Sequence, residues 1–230
     1  MKIIAISSIA SLLLVALTFA AEPATKPPTL QPAAHNPITR ASQEVLDKLQ
    51  QELTSVETIE ADFVQEKQLK ILKHKLKITG HFALQKPDKL VWIVDKPVKY
   101  AIKVEGDELR QWDEDTNKVQ VVHVGGDPTF KAITDQLQSW FLGDYRTLAE
   151  SYDVYLESES PLTLGFTPKS GTMVASVLSH VDLIFSGDGK YLDKMIIREA
   201  GGDVTTLNYI DTKINQPIAK EIWEIPPHGR

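Results

Sequence analysis

The chain has 230 residues with 25 basic against 31 acidic side chains, a net charge of -6, and no cysteine. An acidic balance without a basic stripe argues against nucleic acid as the main partner, and the missing thiols exclude disulfides and an N-terminally lipidated cysteine. The fold must rest on its apolar core alone, and about two hundred residues are enough for one substantial domain.

Met1-Lys2 leads into an apolar run from Ile3 to Ala21, broken only by Ser7, Ser8, Ser11 and Thr18 and followed by Glu22-Pro23. That layout predicts a signal peptide over residues 1–20, cleaved after Ala20. The competing reading is a membrane anchor, but the run lacks a strong basic stop-transfer flank and ends in small residues. No later stretch is apolar enough to span, so the mature chain is expected to be water-soluble. Residues 21–37, with Pro23, Pro27, Pro28, Pro32 and Pro37, read as a disordered Pro/Ala-rich leader. Residues 38–230 are then the folded domain.

Ile38 to Ser55 has helical spacing, with Leu46, Leu49 and Leu53 on one face and Thr39 or Ser42 as the cap. From Ile59 the period drops to two. Ile59, Ala61 and Phe63 alternate with Glu60, Asp62 and Val64, and Leu76, Ile78, Gly80, Phe82 and Leu84 alternate with Lys75, Lys77, Thr79, His81 and Ala83. Strands are expected again at Leu90 to Val94, Tyr100 to Val104, Glu108 to Trp112 and Val119 to Val124, joined by Pro, Asp, Gly and Asn turns. Residues 128–142 interrupt the meander with a helical face of Phe130, Ile133, Leu137, Trp140 and Phe141, capped by Asp127. A short helix at Thr147 to Tyr152 precedes strands at Val154 to Glu157, Leu162 to Thr167, Val181 to Phe185, Leu192 to Arg198 and Val204 to Asp211. A last strand is expected at Ile218 to Ile225. The fold class is mainly β with a helical lid (α+β): a curved antiparallel half-barrel of about eleven strands, its apolar face covered by amphipathic helices.

Phe63, Phe82, Leu84, Leu90, Trp92, Tyr100 and Ile102 then face the cover, as do Phe130, Ile133, Leu137, Trp140 and Phe141 from the other side. They line either a hollow that takes an apolar ligand or an ordinary packed core, and periodicity alone does not separate the two. Lys67, Lys70, Lys73, Lys75 and Lys77 with His74 form a basic hairpin, read as a solvated face or as a docking edge for anionic groups. Asp113, Asp115 and Asn117 open like a calcium loop, but Lys118 and Val124 stand where glycine and glutamate are required. The six histidines lack metal-ligand spacing, and there is no nucleophile elbow, phosphate loop or dinucleotide fingerprint. Neither metal nor cofactor is expected, and the chain reads as a non-enzyme.

The order of elements and several short motifs resemble the periplasmic outer-membrane lipoprotein carrier family. Phe63-Val64-Gln65 is similar to the family's Phe-x-Gln, and Gly80-His81-Phe82 to its Gly-x-Phe. Gln85-Lys86-Pro87-Asp88-Lys89-Leu90-Val91-Trp92 resembles its Arg-Pro-x-x-Phe-x-Trp, with Pro97, Gly106 and Trp112 following in order. Thr167-Pro168-Lys169 and Ile225-Pro226-Pro227-His228-Gly229 are similar to late family signatures. The resemblance implies a monomeric periplasmic carrier whose cavity takes the acyl chains of a lipoprotein or other lipid. It implies an inner-membrane exporter as donor and an outer-membrane acceptor. It also places Lys86 where the family has an arginine that controls the lid, and lysine is a point charge rather than a planar fork. The chain ends at Arg230, so no further C-terminal strand is expected. A different class remains open at this stage: an envelope-stress regulator or a structural envelope protein of the same half-barrel shape. Regulators of that kind join the half-barrel to a smaller second domain, for which no residues are expected here.

Overall fold

The computed structural model describes residues 40–72, 74–123, 139–172 and 174–226. Helix α1 (Arg40–Thr54) comes first, followed by β1 (Thr58–Gln68), β2 (Leu76–Gln85), β3 (Lys89–Lys96), β4 (Tyr100–Glu105), β5 (Glu108–Asp113) and β6 (Lys118–His123). A helical turn at 139–142 leads into α2 (Tyr145–Ser151), whose first turn is capped by the Asp144 carboxylate accepting from the Thr147 amide. The chain closes with β7 (Tyr152–Glu159), β8 (Leu162–Pro168), β9 (Leu178–Phe185), β10 (Leu192–Glu199) and β11 (Val204–Ile214). All eleven strands form one antiparallel sheet in the order β6-β5-β4-β3-β2-β1-β11-β10-β9-β8-β7. The sheet is open and curved, as expected from the alternation, and irregularities in register at Glu60/Asp62, Thr79/Gly80 and Leu156/Ser158 add local bends.

Local chemistry decides most of this. In α1, Leu49 and Leu53 are buried and Leu46 packs beside them, so the leucine stripe faces the sheet. Ser42 lies inside the helix and is therefore not its cap, while Thr39 falls outside the described residues. The long helix expected over 128–142 lies outside them up to residue 138, together with Asp127, and only 139–142 is seen to be helical.

The inner face of the sheet carries one large apolar cluster running from Ile59 and Phe63 through Trp92 and Val104 to Leu183, Met195 and Leu207. A second, smaller cluster sits on the opposite face: Ala83, Val91, Ile93, Ala101, Trp112 and Trp223. The expected strand at Ile218 to Ile225 covers it in another form. That segment is a 3-10 turn at Lys220–Trp223, which packs Ile218, Ile222, Trp223 and Ile225 onto the outer cluster. Pro217 and Pro226 bracket it and lack the amide donors a strand would use. The five apolar residues from Leu90 to Val94, all buried, are the sequence signal that β3 is covered on both faces.

At Gly80 three strands meet closely. It pairs with Phe63 of β1 and Val94 of β3, and the Phe63 ring lies across it. A methyl group there would fall on the Ile93 carbonyl oxygen and 2.6 Å from the Phe63 ring. Gly80→Ala is therefore expected to lower unfolding stability by about 3 kcal/mol through overpacking against backbone, read as a lower urea midpoint at unchanged slope.

Candidate functional site

The concave face brings the sequence-predicted residues of β1 to β4 together. Phe63, Phe82, Leu84, Leu90, Trp92 and Ile102 are buried and Tyr100 is half-buried at the rim. Phe63 stacks on Trp92 with ring centroids 4.0 Å apart, and Phe82 meets Trp92 edge-on at 5.7 Å. Across from them, Trp140 and Phe141 of the 139–142 turn are also buried. Phe141 stacks on Phe82 at 4.6 Å, an aromatic pair that joins the cover to the sheet. Phe130, Ile133 and Leu137 lie outside the described residues.

Sequence reasoning missed the contribution of the second half of the sheet. Tyr209 of β11 pairs with Phe63 and places its ring 5.6 Å from Phe141 and 6.2 Å from Phe82. Tyr145 of α2 leans on Phe166 and Phe185. The signal was present, because Leu207 and Tyr209 alternate with Asn208 as regularly as Phe82 does with its neighbours. Cross-strand partners in β11, however, become visible only once β1 is paired with it.

This interior is mostly apolar, and two of its polar atoms lie near Phe141. The Tyr209 hydroxyl and the Trp140 indole nitrogen are buried without a hydrogen-bond partner. Burial pushes the Tyr209 and Tyr145 phenols well above their ordinary range and raises Tyr100 to about 12. An unpaired buried donor costs roughly 1–3 kcal/mol, so the closed interior is less stable than its apolar contacts alone would make it.

Lys86, in the turn between β2 and β3, donates from Nζ to the Thr54 carbonyl at 2.8 Å, at the last residue of α1. Its amide donates to the Glu57 carbonyl at 2.9 Å, and its ammonium lies 3.7 Å from the Glu57 carboxylate. A cation on the carbonyl end of a helix opposes the helix dipole there. Lys86 thus holds α1 to the rim of the sheet. Gly143 lets the two helical pieces pass close to α1: its φ is +82°, and a Cβ would lie 2.9 Å from the Leu53 Cβ.

On the outer face, Thr167 Oγ1 lies 3.0 Å from His180 Nδ1, and His180 Nε2 lies 2.9 Å from the Asp182 carboxylate, which Arg198 also binds. Burial alone would raise the Asp182 carboxyl, but the His180 and Arg198 hydrogen bonds outweigh it and hold the carboxyl below the usual range. The residues sit on β8, β9 and β10, so the network cross-links three strands. Among the described residues there is no group of three metal-ligating side chains, and no helix is long and apolar enough to cross a membrane.

The model of the family described as "Outer membrane lipoprotein carrier protein LolA" matches residues 54–226, from the end of α1 to the turn that covers the outer cluster. The chain belongs to the LolA family. Among relatives named outer-membrane lipoprotein carrier protein, that of Pseudoalteromonas translucida (strain TAC 125) is 25% identical over 79% of this chain and 83% of its own length. That of Legionella pneumophila (strain Paris) is 26% identical over 85% of this chain and 91% of its own. Similar solved structures include a LolA superfamily protein from Nitrosomonas europaea, at TM-score 0.42 and 12% identity, covering 80% of this chain and 97% of that one. The Pseudomonas aeruginosa MucA/MucB complex gives 0.47 and 15%, covering 80% of this chain and 60% of that one.

Substitutions at two positions separate the contributions of the interior and of the rim. Tyr209→Phe removes a dry, unpaired hydroxyl and is expected to leave thermal stability unchanged or raise it by up to about 1 kcal/mol. Lys86→Met is expected to cost about 1 kcal/mol and to speed hydrogen exchange at the last turn of α1. Lys86→Arg, which can still donate to the Thr54 carbonyl, is expected to retain both properties.

Proposed function

We propose that this chain is a carrier that takes acyl chains between the concave face of its sheet and the helical cover. The observation that carries this reading is the division of labour between sheet and cover. The strands are hydrogen-bonded to one another, whereas α1 and the 139–142 turn pack on them through apolar side chains, with Lys86 donating to the end of α1. Lifting the cover costs contacts that an acyl chain can replace, because dispersion contacts have no preferred direction. Family membership and the names of the relatives support a lipoprotein or another acylated lipid as the cargo.

The energetics explain why such a container is needed. Exposing an acyl chain to water costs about 0.8 kcal/mol per methylene, so a lipid with two or three chains does not cross an aqueous gap unaided. Residues 1–20 export the chain to the periplasm, and the leader over 21–37 follows them in the sequence. Cargo is received from an inner-membrane exporter and given up to an outer-membrane acceptor. No bond is made or broken in that cycle, so the role is non-enzymatic. Phe82 and Phe141 are parted on loading, and Lys86 sets how firmly α1 is kept down. Tyr209 and Trp140, released from their dry setting, gain partners in the opened form and offset part of the cost of parting them.

Native mass spectrometry of the protein purified from its own envelope is expected to show co-purifying lipid. A fluorescent fatty-acyl probe is expected to bind the delipidated protein saturably and to be displaced by long-chain fatty acid or lipopeptide. A folded protein with a clean mass and no saturable binding would sink the carrier reading in favour of an envelope-stress regulator or a structural protein.

A further inference from the structure

At one end of the sheet lie the β1–β2 loop (69–75), the β3–β4 turn (97–99) and the β10–β11 turn (200–203), as the pairing of Lys67 with Leu76, Thr79 with Lys96 and Gln68 with Val204 requires. Large apolar side chains are exposed there. Ile71 is 89% exposed, Leu72 and Val98 are each 48% exposed, and Leu76 is exposed beside them. Among the described residues, the turns at the opposite end carry no exposed large apolar side chain; the others lie on the edge strand β6 and at Ile210.

The exposure is built in, because the loop that presents it is tied down. The Leu72 amide donates to the Leu69 carbonyl at 3.0 Å, and Gln68 Nε2 donates to the Leu72 carbonyl at 3.1 Å. The Lys70 amide donates to the Asp203 carboxylate at 2.8 Å, which fastens the loop to the β10–β11 turn. Around it the charge is basic in a chain whose net charge is -6. Lys67, Lys70, Lys75 and Lys77 stand with His74 against Glu66, Glu199 and Asp203. Lys75 binds Glu66 at 3.0 Å and Lys67 binds Glu199 at 2.9 Å, which takes up two of the three acids. Asp203 accepts from the loop amide and keeps its negative charge, so four lysines stand against three carboxylates around the loop.

Apolar tips backed by lysines fit the boundary between headgroups and acyl chains of a bilayer. Single isoleucine and leucine side chains enter that boundary without shape complementarity, and flexible lysine stems reach back to the phosphates. A protein partner needs about 800 Å² of matched surface on each side, which a narrow loop does not offer. We infer that the β1–β2 loop docks this chain on an anionic bilayer surface, with Ile71 and Leu72 entering it and Lys70 and Lys77 against lipid phosphates. This docking rests on the hairpin alone and stands whether or not an acyl chain occupies the interior.

The test is co-sedimentation of the whole protein with phosphatidylethanolamine–phosphatidylglycerol vesicles and with pure phosphatidylcholine vesicles at physiological salt. Binding is expected to favour the anionic vesicles. Ile71→Glu and Leu72→Glu are each expected to weaken it about tenfold or more. The charge swap Lys70→Glu with Lys77→Glu is expected to remove the preference between the two vesicle types. Val121→Glu, at an apolar position on the edge strand as open as Leu72, is expected to leave binding unchanged. Melting within about 2 °C of the wild type for every variant shows that folding is intact, since exposed positions contribute little to stability. The inference is overturned if the wild type ignores anionic vesicles or if Ile71→Glu binds as the wild type does. It is equally overturned if Ile71→Glu converts a dimer to a monomer in sedimentation velocity, because a second copy then covers the tip. Probe loading in the same samples reads the carrier function separately.

Discussion

Hydrogen bonds pass from strand to strand across the whole sheet from β6 to β7, so the inner strands satisfy one another's backbone without any helix placed on them. That constraint shapes the rest of the molecule. A sheet with a continuous apolar face cannot leave it in water, yet nothing in its ladder requires a particular cover. The cover is therefore free to be made of short helical pieces held by side chains. Packing of this kind is strong in total and weak at each contact.

The aromatic group at the centre shows how the two layers are coupled. Gly80 leaves room for the Phe63 ring, Phe63 stacks on Trp92, Trp92 meets Phe82, and Phe82 carries Phe141 of the cover. Displacing Phe141 removes one stacked neighbour from Phe82 and leaves the Phe63–Trp92 stack in place. Next to this contact lie the two dry donors, on Trp140 and Tyr209. A buried group without a partner is a standing cost in the closed form. The interior thus combines a firm floor in the sheet with a cover whose seat is less than optimal.

The two faces of the sheet are treated differently for the same reason. The inner face has a helical cover, while the outer apolar patch on β2 to β5 is closed by the chain's own tail, where Trp223 packs beside Ala83 and Val91. Lys89 places its ammonium 4.6 Å from the centre of the Trp223 ring, adding a cation–π contact at the patch edge. On the other half, the outer face needs no cover because His180, Asp182 and Arg198 make it polar.

Much of the architecture was legible in the residues alone. Period-two alternation from Ile59 to Leu84 and again from Val181 to Asp211, punctuated by Gly, Pro and Asp turns, is enough to predict a meander and its apolar face. The leucine stripe of α1 and the shared order of motifs were equally readable, because side-chain period and turn chemistry are local properties. What lay beyond them depended on which distant segments meet. The pairing of β1 with β11 brings Tyr209 beside Phe63, and a sequence separation of more than a hundred residues carries no local trace of that contact. The fate of Ile218 to Ile225 was likewise decided by the outer patch it covers, since nothing local in a mixed apolar and charged segment says which distant residues it will pack on. Lys86 read from its motif is a lid residue in general terms. Only the folded chain brings its ammonium to the Thr54 carbonyl at the end of α1, because helix and hairpin approach each other through tertiary packing and not through any pattern in the sequence.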